Sequence, residues 1–271
     1  MTKLALALLL TLSAAAATAA ELPERIRQRG VLIGSMMPNY PPLDMIDTQT
    51  GELTGFDVDL MKAVAERLKI KFEWQQVAFE QMVSALNTGR TDLAFSMTDL
   101  PSRHETSTFL DYLQTGPQIF TQASRAAEFG DDFSKLCGKS VGASRVTNYP
   151  KQIEMLSERV CAGKEPIKAV GTQGSVDARA QLKQGRIDAA MQGNETLIWI
   201  MKQEPNTFAL IGKPISKQLT GILTRKDDAQ LQQAMADTIN ALIADGTYGK
   251  LLEKWSLADN GVEKVTINAG Q

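Results

Sequence analysis

Histidine occurs once and cysteine twice in the 271 residues, and aromatic side chains make up only 6% of the chain. One histidine leaves too few ligands for a credible zinc site and no Ser/His/Asp set for nucleophilic catalysis. Neither sign of charge dominates: 29 basic side chains stand against 31 acidic ones, for a formal charge of -2. That balance excludes the broad basic footprint that nucleic acid requires. Beyond the first twenty residues no apolar run is long enough to cross a bilayer. What remains, 43% hydrophobic and 22% charged, is ordinary globular composition and excludes disordered, collagen-like and coiled-coil classes. The length suits one large or two small domains, each with a real core.

Residues 1–20 read as a signal peptide. Lys3 forms the positive n-region, residues 4–12 a Leu/Ala h-region, and Ala17-Thr18-Ala19 or Thr18-Ala19-Ala20 the cleavage site. The apolar run is short for a membrane anchor, no stop-transfer cluster follows it, and no cysteine near the cut can take a lipid. The mature protein is therefore expected to be exported. In an oxidising compartment Cys137 and Cys161 read first as a disulfide. Closing a loop of that length contributes about 3 kcal/mol.

Periodicity places the elements. Val31-Leu32-Ile33-Gly34 predicts a short strand, Pro38-Asn39-Tyr40-Pro41-Pro42 a turn, and residues 51–55 a hairpin or loop. That loop launches a helix whose apolar face is Met61, Val64, Ala65 and Leu68. Residues 71–77 alternate as a strand, and Met82, Val83 and Leu86 start a helix that stops at Gly89. Near the end, Leu231, Met235, Ile239, Leu242 and Ile243 stripe a helix that ends at Gly246, and residues 248–255 form a last short one.

One pattern repeats. Residues 86–95 recur as residues 182–191, with Gly89-Arg90-Thr91-Asp92 matching Gly185-Arg186-Ile187-Asp188 ahead of a short apolar strand. Two similarly built α/β lobes follow from this. Both strands run into small polar residues, Ser96-Met97-Thr98-Asp99 and Gln192-Gly193-Asn194-Glu195. Ligands of open α/β sheets sit beyond the carboxyl ends of the strands, so the two lobes would share a polar cleft.

At this point a family is visible. Asn39-Tyr40-Pro41-Pro42, Leu53-Thr54-Gly55-Phe56-Asp57-Val58-Asp59-Leu60, Met97-Thr98-Asp99-Leu100-Pro101-Ser102-Arg103 and Ala244-Asp245-Gly246-Thr247-Tyr248 occur in characteristic order and spacing. With them the chain resembles a family 3 periplasmic solute-binding protein, the receptor of a polar amino-acid ABC transporter, over residues 21–257. A subgroup with the Met-Thr-Asp loop also carries a Leu-Cys-Gly and a later Cys-x-x-Gly-Lys, matched by Leu136-Cys137-Gly138 and Cys161-Ala162-Gly163-Lys164. This supports the disulfide.

The resemblance implies a type II periplasmic binding protein of the α/β class, with two lobes that are each a mixed sheet flanked by helices. Two hinge crossings are expected near residues 112–116 and 216–220. The first lobe would be discontinuous, residues 21–113 with 220–271, and the second would be residues 114–219. The implied setting is a periplasmic monomer without metal or cofactor, serving an ABC permease in the inner membrane.

The resemblance also implies a site. Arg103 is placed to grip a ligand carboxylate, because a guanidinium is a rigid fork of donors that stays charged; by itself it equally suits a solvated surface. Ser96 and Thr98 add hydroxyl or N–H contacts, or simply cap the loop. Tyr40 and Phe79 are the aromatic pair that sandwiches the ligand, or plain core. Thr147 and Asn148 stand at a helix start that favours an anion, although Val146 replaces the family glycine there. At Gly193 the family usually carries an Asp for the ligand ammonium. Asn194, Glu195 or Asp99 would have to stand in, or the ligand lacks a free α-ammonium; Asn194 is included in the expected site. Met36, Met97 and Met191 suggest a less polar pocket. Transport is the preferred function. The alternatives are an enzyme on the same scaffold, like a cyclohexadienyl dehydratase, and a ligand-sensing partner of a chemoreceptor or kinase.

Overall fold

A computed structural model describes residues 21–271; the expected signal peptide, residues 1–20, lies outside the described residues. Among the described residues no helix is long and apolar enough to cross a membrane.

Two sheets form the two lobes. In the six-stranded sheet the spatial order is Thr266–Ile267, Thr108–Thr115, Gln218–Thr224, Leu93–Thr98, Val31–Met36 and Lys71–Gln76. In the five-stranded sheet it is Lys168–Thr172, Ser140–Ser144, Ala189–Gly193, Pro117–Gln122 and Phe208–Ile211. Each sheet contains a parallel trio whose first strand in the chain lies central, continued by an antiparallel strand that pairs with the third. A small three-stranded sheet, Asn39–Tyr40, Asp44–Ile46 and Leu53–Thr54, follows the first strand.

The helices form where apolar spacing asked for them. Phe56–Leu68 starts with Asp57 and Asp59 in its first turn, where acidic charge complements the dipole, and buries Phe56, Leu60, Met61 and Val64. Ala229–Ala244 buries Leu231, Met235, Ile239 and Leu242 in the same cluster, so the tail packs back on the front of the chain. A separate pair of clusters fills the second lobe, one around Ile119, Val141 and Ile153 and one around Phe120, Leu182 and Leu197. Cys137 and Cys161 are joined, tying the approach to strand Ser140–Ser144 to the end of helix Tyr149–Val160.

The repeated motif occupies equivalent places. Asp92 donates its N–H to the Ile33 carbonyl at 2.8 Å, and its carboxylate accepts the Ile33 N–H at 3.0 Å. Asp188 does the same with Ser140, at 3.0 Å and 2.8 Å, and accepts the Ser140 hydroxyl at 2.7 Å. Each aspartate thereby clasps the central parallel strand of its own sheet. This explains why the residue after Gly-Arg-x is acidic: a short side chain with two acceptors satisfies an otherwise open N–H at the strand end.

The chain leaves the first sheet at Gly116, between strands Thr108–Thr115 and Pro117–Gln122, and returns between Ile211 and Gln218. The two passages touch. A Cβ on Gly116 would lie 2.4 Å from the Ser216 carbonyl oxygen, so only glycine fits where they meet. Asp188→Ala is expected to destabilise the protein by about 1–3 kcal/mol through the unpaired Ser140 N–H. Chemical denaturation checks this; a loss inside about 0.5 kcal/mol, typical of neutral surface changes, would show that the clasp is idle.

Candidate functional site

A cavity lies where the carboxyl ends of the parallel strands of both sheets face each other. The first lobe supplies Tyr40, Phe79, Ser96, Thr98 and Arg103, and the second supplies Thr147, Asn148, Tyr149, Gln192 and Glu195. It offers about 90 Å³ to the centres of water-sized spheres. One water needs ~10–15 Å³ by the same measure, so the space suits a small metabolite.

Arg103 sits in the short 3-10 turn Pro101–Arg103 that follows strand Leu93–Thr98, so the sheet carries it to the cavity edge. Its Nη1 donates to the Thr98 carbonyl at 2.7 Å, which fixes the direction of the fork. No carboxylate pairs with it among the described residues. Asp99 is near, but its carboxylate is occupied by His104 and by the Gly270 N–H. Burial pulls the Arg103 pKa down, opposed by Tyr149 and Asp99. An arginine starts so high that it stays charged at neutral pH. The result is a half-buried cation whose remaining donors lack an anionic partner, a costly arrangement until an anion arrives.

Glu195 supplies the opposite sign. It is buried in the first turn of helix Asn194–Gln203. Its Oε1 accepts the Tyr40 hydroxyl at 2.8 Å across the cleft, and its Oε2 accepts the Thr115 hydroxyl beside the first crossing. Burial raises its pKa, and the hydrogen bonds from Thr115 and Tyr40 oppose that shift. Gly193 makes the position possible. A Cβ built on Gly193 would fall 2.0 Å from Glu195 Oε1 and 2.4 Å from Oε2. The Glu195 carboxylate thus folds back into the space that a side chain at position 193 would occupy. The acidic group expected at 193 is present after all, reached from two residues further along the chain.

Of the residues expected at the site, Tyr40, Phe79, Ser96, Thr98, Arg103, Thr147 and Asn148 line the cavity. Ser96 does so in a left-handed backbone conformation, φ 58°, with its hydroxyl between the carboxylates of Asp44 and Asp57. Thr147 also serves its own loop: its hydroxyl donates to the Ser144 carbonyl at 2.8 Å and accepts the Tyr149 N–H at 3.2 Å. Asn194 is the correction. It does not line the cavity, because its N–H is held by the Gly116 carbonyl at 2.9 Å and the chain turns into a helix there, which brings Glu195 inward instead. Among the methionines, Met191 lines the cavity together with Met37 and Met82, whereas Met36 and Met97 are buried away from it.

Tyr149 and Asp44 were not singled out from the sequence. Tyr149 opens the helix Tyr149–Val160 and is buried at the cleft, where desolvation and then Glu195 raise its pKa against the opposing influence of Tyr40 and Arg103. The signal was an aromatic residue directly after Thr147-Asn148. Asp44 had no signal, since it lies in an unremarkable Leu-Asp-Met stretch after the Pro-rich turn.

The family model for bacterial extracellular solute-binding proteins, family 3, matches residues 32–258. The chain belongs to this family. Among its relatives, the histidine-binding periplasmic protein of Salmonella typhimurium is 30% identical over 94% of this chain and 97% of its own length. An arginine-binding protein of Corynebacterium glutamicum is 26% identical over 92% of this chain and 82% of its own. Among solved structures, an ancestral arginine-binding protein bound to arginine is similar at a TM-score of 0.74 with 28% identity, over 84% of this chain and 98% of that one. The two-lobed type II architecture is thereby established for this family member.

Gly193→Ala tests the replacement. The added Cβ must displace the Glu195 carboxylate from Tyr40 and Thr115, leaving buried polar groups unpaired at a cost of about 1–3 kcal/mol. Denaturant unfolding should report that loss; wild-type stability would mean the carboxylate is not held where the fold places it.

Proposed function

We propose that the protein is the periplasmic receptor of an ABC importer and that it carries an amino acid in the cavity between its lobes. The observation that carries this reading is the pair of opposite, unneutralised charges lining one small cavity. Among the described residues Arg103 has open donors and no ion-pair partner, and Glu195 is buried against hydroxyls without an ion-pair partner. A zwitterion satisfies both.

The α-carboxylate would take two parallel hydrogen bonds from the Arg103 guanidinium, with the start of helix Tyr149–Val160 adding partial positive charge. The α-ammonium would donate to Glu195. Phe79 and Tyr40 exclude water, which strengthens both contacts. Since Tyr40 and Arg103 belong to one lobe and Glu195 to the other, a ligand bridging these charges favours the closed state over the open one. Delivery to a membrane permease is the role that the family and the named relatives support. An enzymatic reading finds little support in the site. His104 is tied to Asp99, and neither it nor a cysteine lines the cavity.

Arg103→Ala should weaken amino-acid binding by more than about 30-fold, since truncating one partner of a buried charge pair costs roughly 2–5 kcal/mol. Unfolding should stay near wild type. Isothermal titration calorimetry against a panel of amino acids measures it, with native mass spectrometry of the purified protein to reveal any retained ligand. Retained affinity in the variant would remove Arg103 from the site.

A further inference from the structure

Arg103 ends a three-residue 3-10 turn, Pro101–Arg103, in which Pro101 and Ser102 are exposed. A turn of that length has little stability of its own. A guanidinium that grips a carboxylate must nevertheless be held to within about 0.5 Å. Inside the turn, the Arg103 N–H donates to the Leu100 carbonyl at 2.8 Å and the His104 N–H to the Pro101 carbonyl at 3.1 Å. Asp99 adds a hold from outside and is 1% exposed. Its own N–H donates to the Leu219 carbonyl at 2.8 Å. Its Oδ1 meets His104 Nε2 on the far side of the turn, and its Oδ2 accepts the Gly270 N–H at 2.7 Å. One carboxylate thus braces both ends of the turn against a residue 171 positions away.

The segment that carries Gly270 is fixed by other contacts. Thr266–Ile267 pairs antiparallel with strand Thr108–Thr115. Asn268 accepts the Phe109 N–H on its side chain at 2.8 Å and donates its own N–H to the Phe109 carbonyl at 3.1 Å. The Ala269 N–H reaches Asp111 Oδ2 at 3.0 Å. Strand Thr108–Thr115 is the one into which the turn leads, so turn, strand, tail segment and Asp99 close a ring. The ring is tight where it joins. A Cβ on Gly270 would overlap the Asp99 carbonyl oxygen and lie 2.5 Å from Asp99 Cγ. Any side chain there must push on the backbone next to Thr98, whose carbonyl aims the Arg103 fork at 2.7 Å.

We propose that Gly270 is a positioning residue for ligand binding. Acting through Asp99, it sets the place of the Thr98 carbonyl and of the turn, and so the aim of the Arg103 guanidinium into the cavity. Gly270 itself does not line that cavity. Its effect on binding rests on the amino-acid reading above; its hold on the turn does not.

The test compares Gly270→Ala with wild type and with Ser157→Ala, a control that loses stability without touching the turn. Ser157 accepts the Ile167 N–H at 2.9 Å in the second lobe and does not line the cavity. Hydrogen exchange of the unliganded chains, read on peptides spanning residues 100–110, should be about ten-fold faster in Gly270→Ala and unchanged in Ser157→Ala. Calorimetry with the standard L-amino acids should show the tightest wild-type binder held about ten-fold more weakly by Gly270→Ala, with Ser157→Ala at wild-type affinity. Asp99→Ala should reproduce the Gly270→Ala result. Asp99→Asn should stay near wild type, because its amide oxygen can still accept the Gly270 N–H. That pair decides the matter if Gly270→Ala does not fold. Wild-type exchange in Gly270→Ala overturns the proposal, as does wild-type affinity despite faster exchange. An equal affinity loss in Ser157→Ala, or Asp99→Asn binding as weakly as Asp99→Ala, overturns it too. If no amino acid binds the wild-type chain, the amino-acid reading fails and the role in binding falls with it, while exchange still decides the hold on the turn.

Discussion

A buried carboxylate at the seam of two lobes governs the arrangement of everything around it. Glu195 accepts one hydroxyl from Tyr40 in the first lobe and one from Thr115 beside the first crossing. Taking such a group out of water is expensive, and two neutral donors offset only part of the cost. The lobes are therefore held in register by an interaction that is itself incomplete. The same reasoning applies to Arg103, which hydrogen-bonds the Thr98 carbonyl and forms an ion pair with no carboxylate among the described residues.

The scaffold creates this situation through the strand ends. In each lobe the central parallel strand is clasped by an aspartate from the repeated Gly-Arg-x-Asp motif, and the following strand then runs straight to the cavity. The polar residues after those strands arrive there as a consequence of sheet geometry. Low dielectric at the seam makes each of their charges count for more than it would in water.

Rigid surroundings keep the Arg103 turn in place. Asp99, at its base, is buried and binds His104 on one side and the Gly270 N–H on the other. Asn268 exchanges hydrogen bonds with Phe109, and the Ala269 N–H reaches Asp111. The tail segment thus stiffens the turn by means that have no local signature in the sequence.

Much of the architecture was readable from residue order. The repeat at residues 86–95 and 182–191, the helix stripes and the polar strand ends are local patterns, and local patterns follow from periodicity and capping that act over a few residues. They were enough to predict two lobes with a polar cleft between them. What the sequence alone left open was whether Asn194, Glu195 or Asp99 stands in for the acidic side chain missing at position 193, and Asn194 was the one included in the expected site. Only the tertiary structure placed the Glu195 carboxylate in the space beside Gly193, because that depends on a helix starting at Asn194, on the missing Cβ of Gly193 and on hydroxyls from Tyr40 and Thr115. Asp44 was hidden for the same reason: its contact is the Ser96 hydroxyl, which also meets Asp57, and these residues come from distant segments.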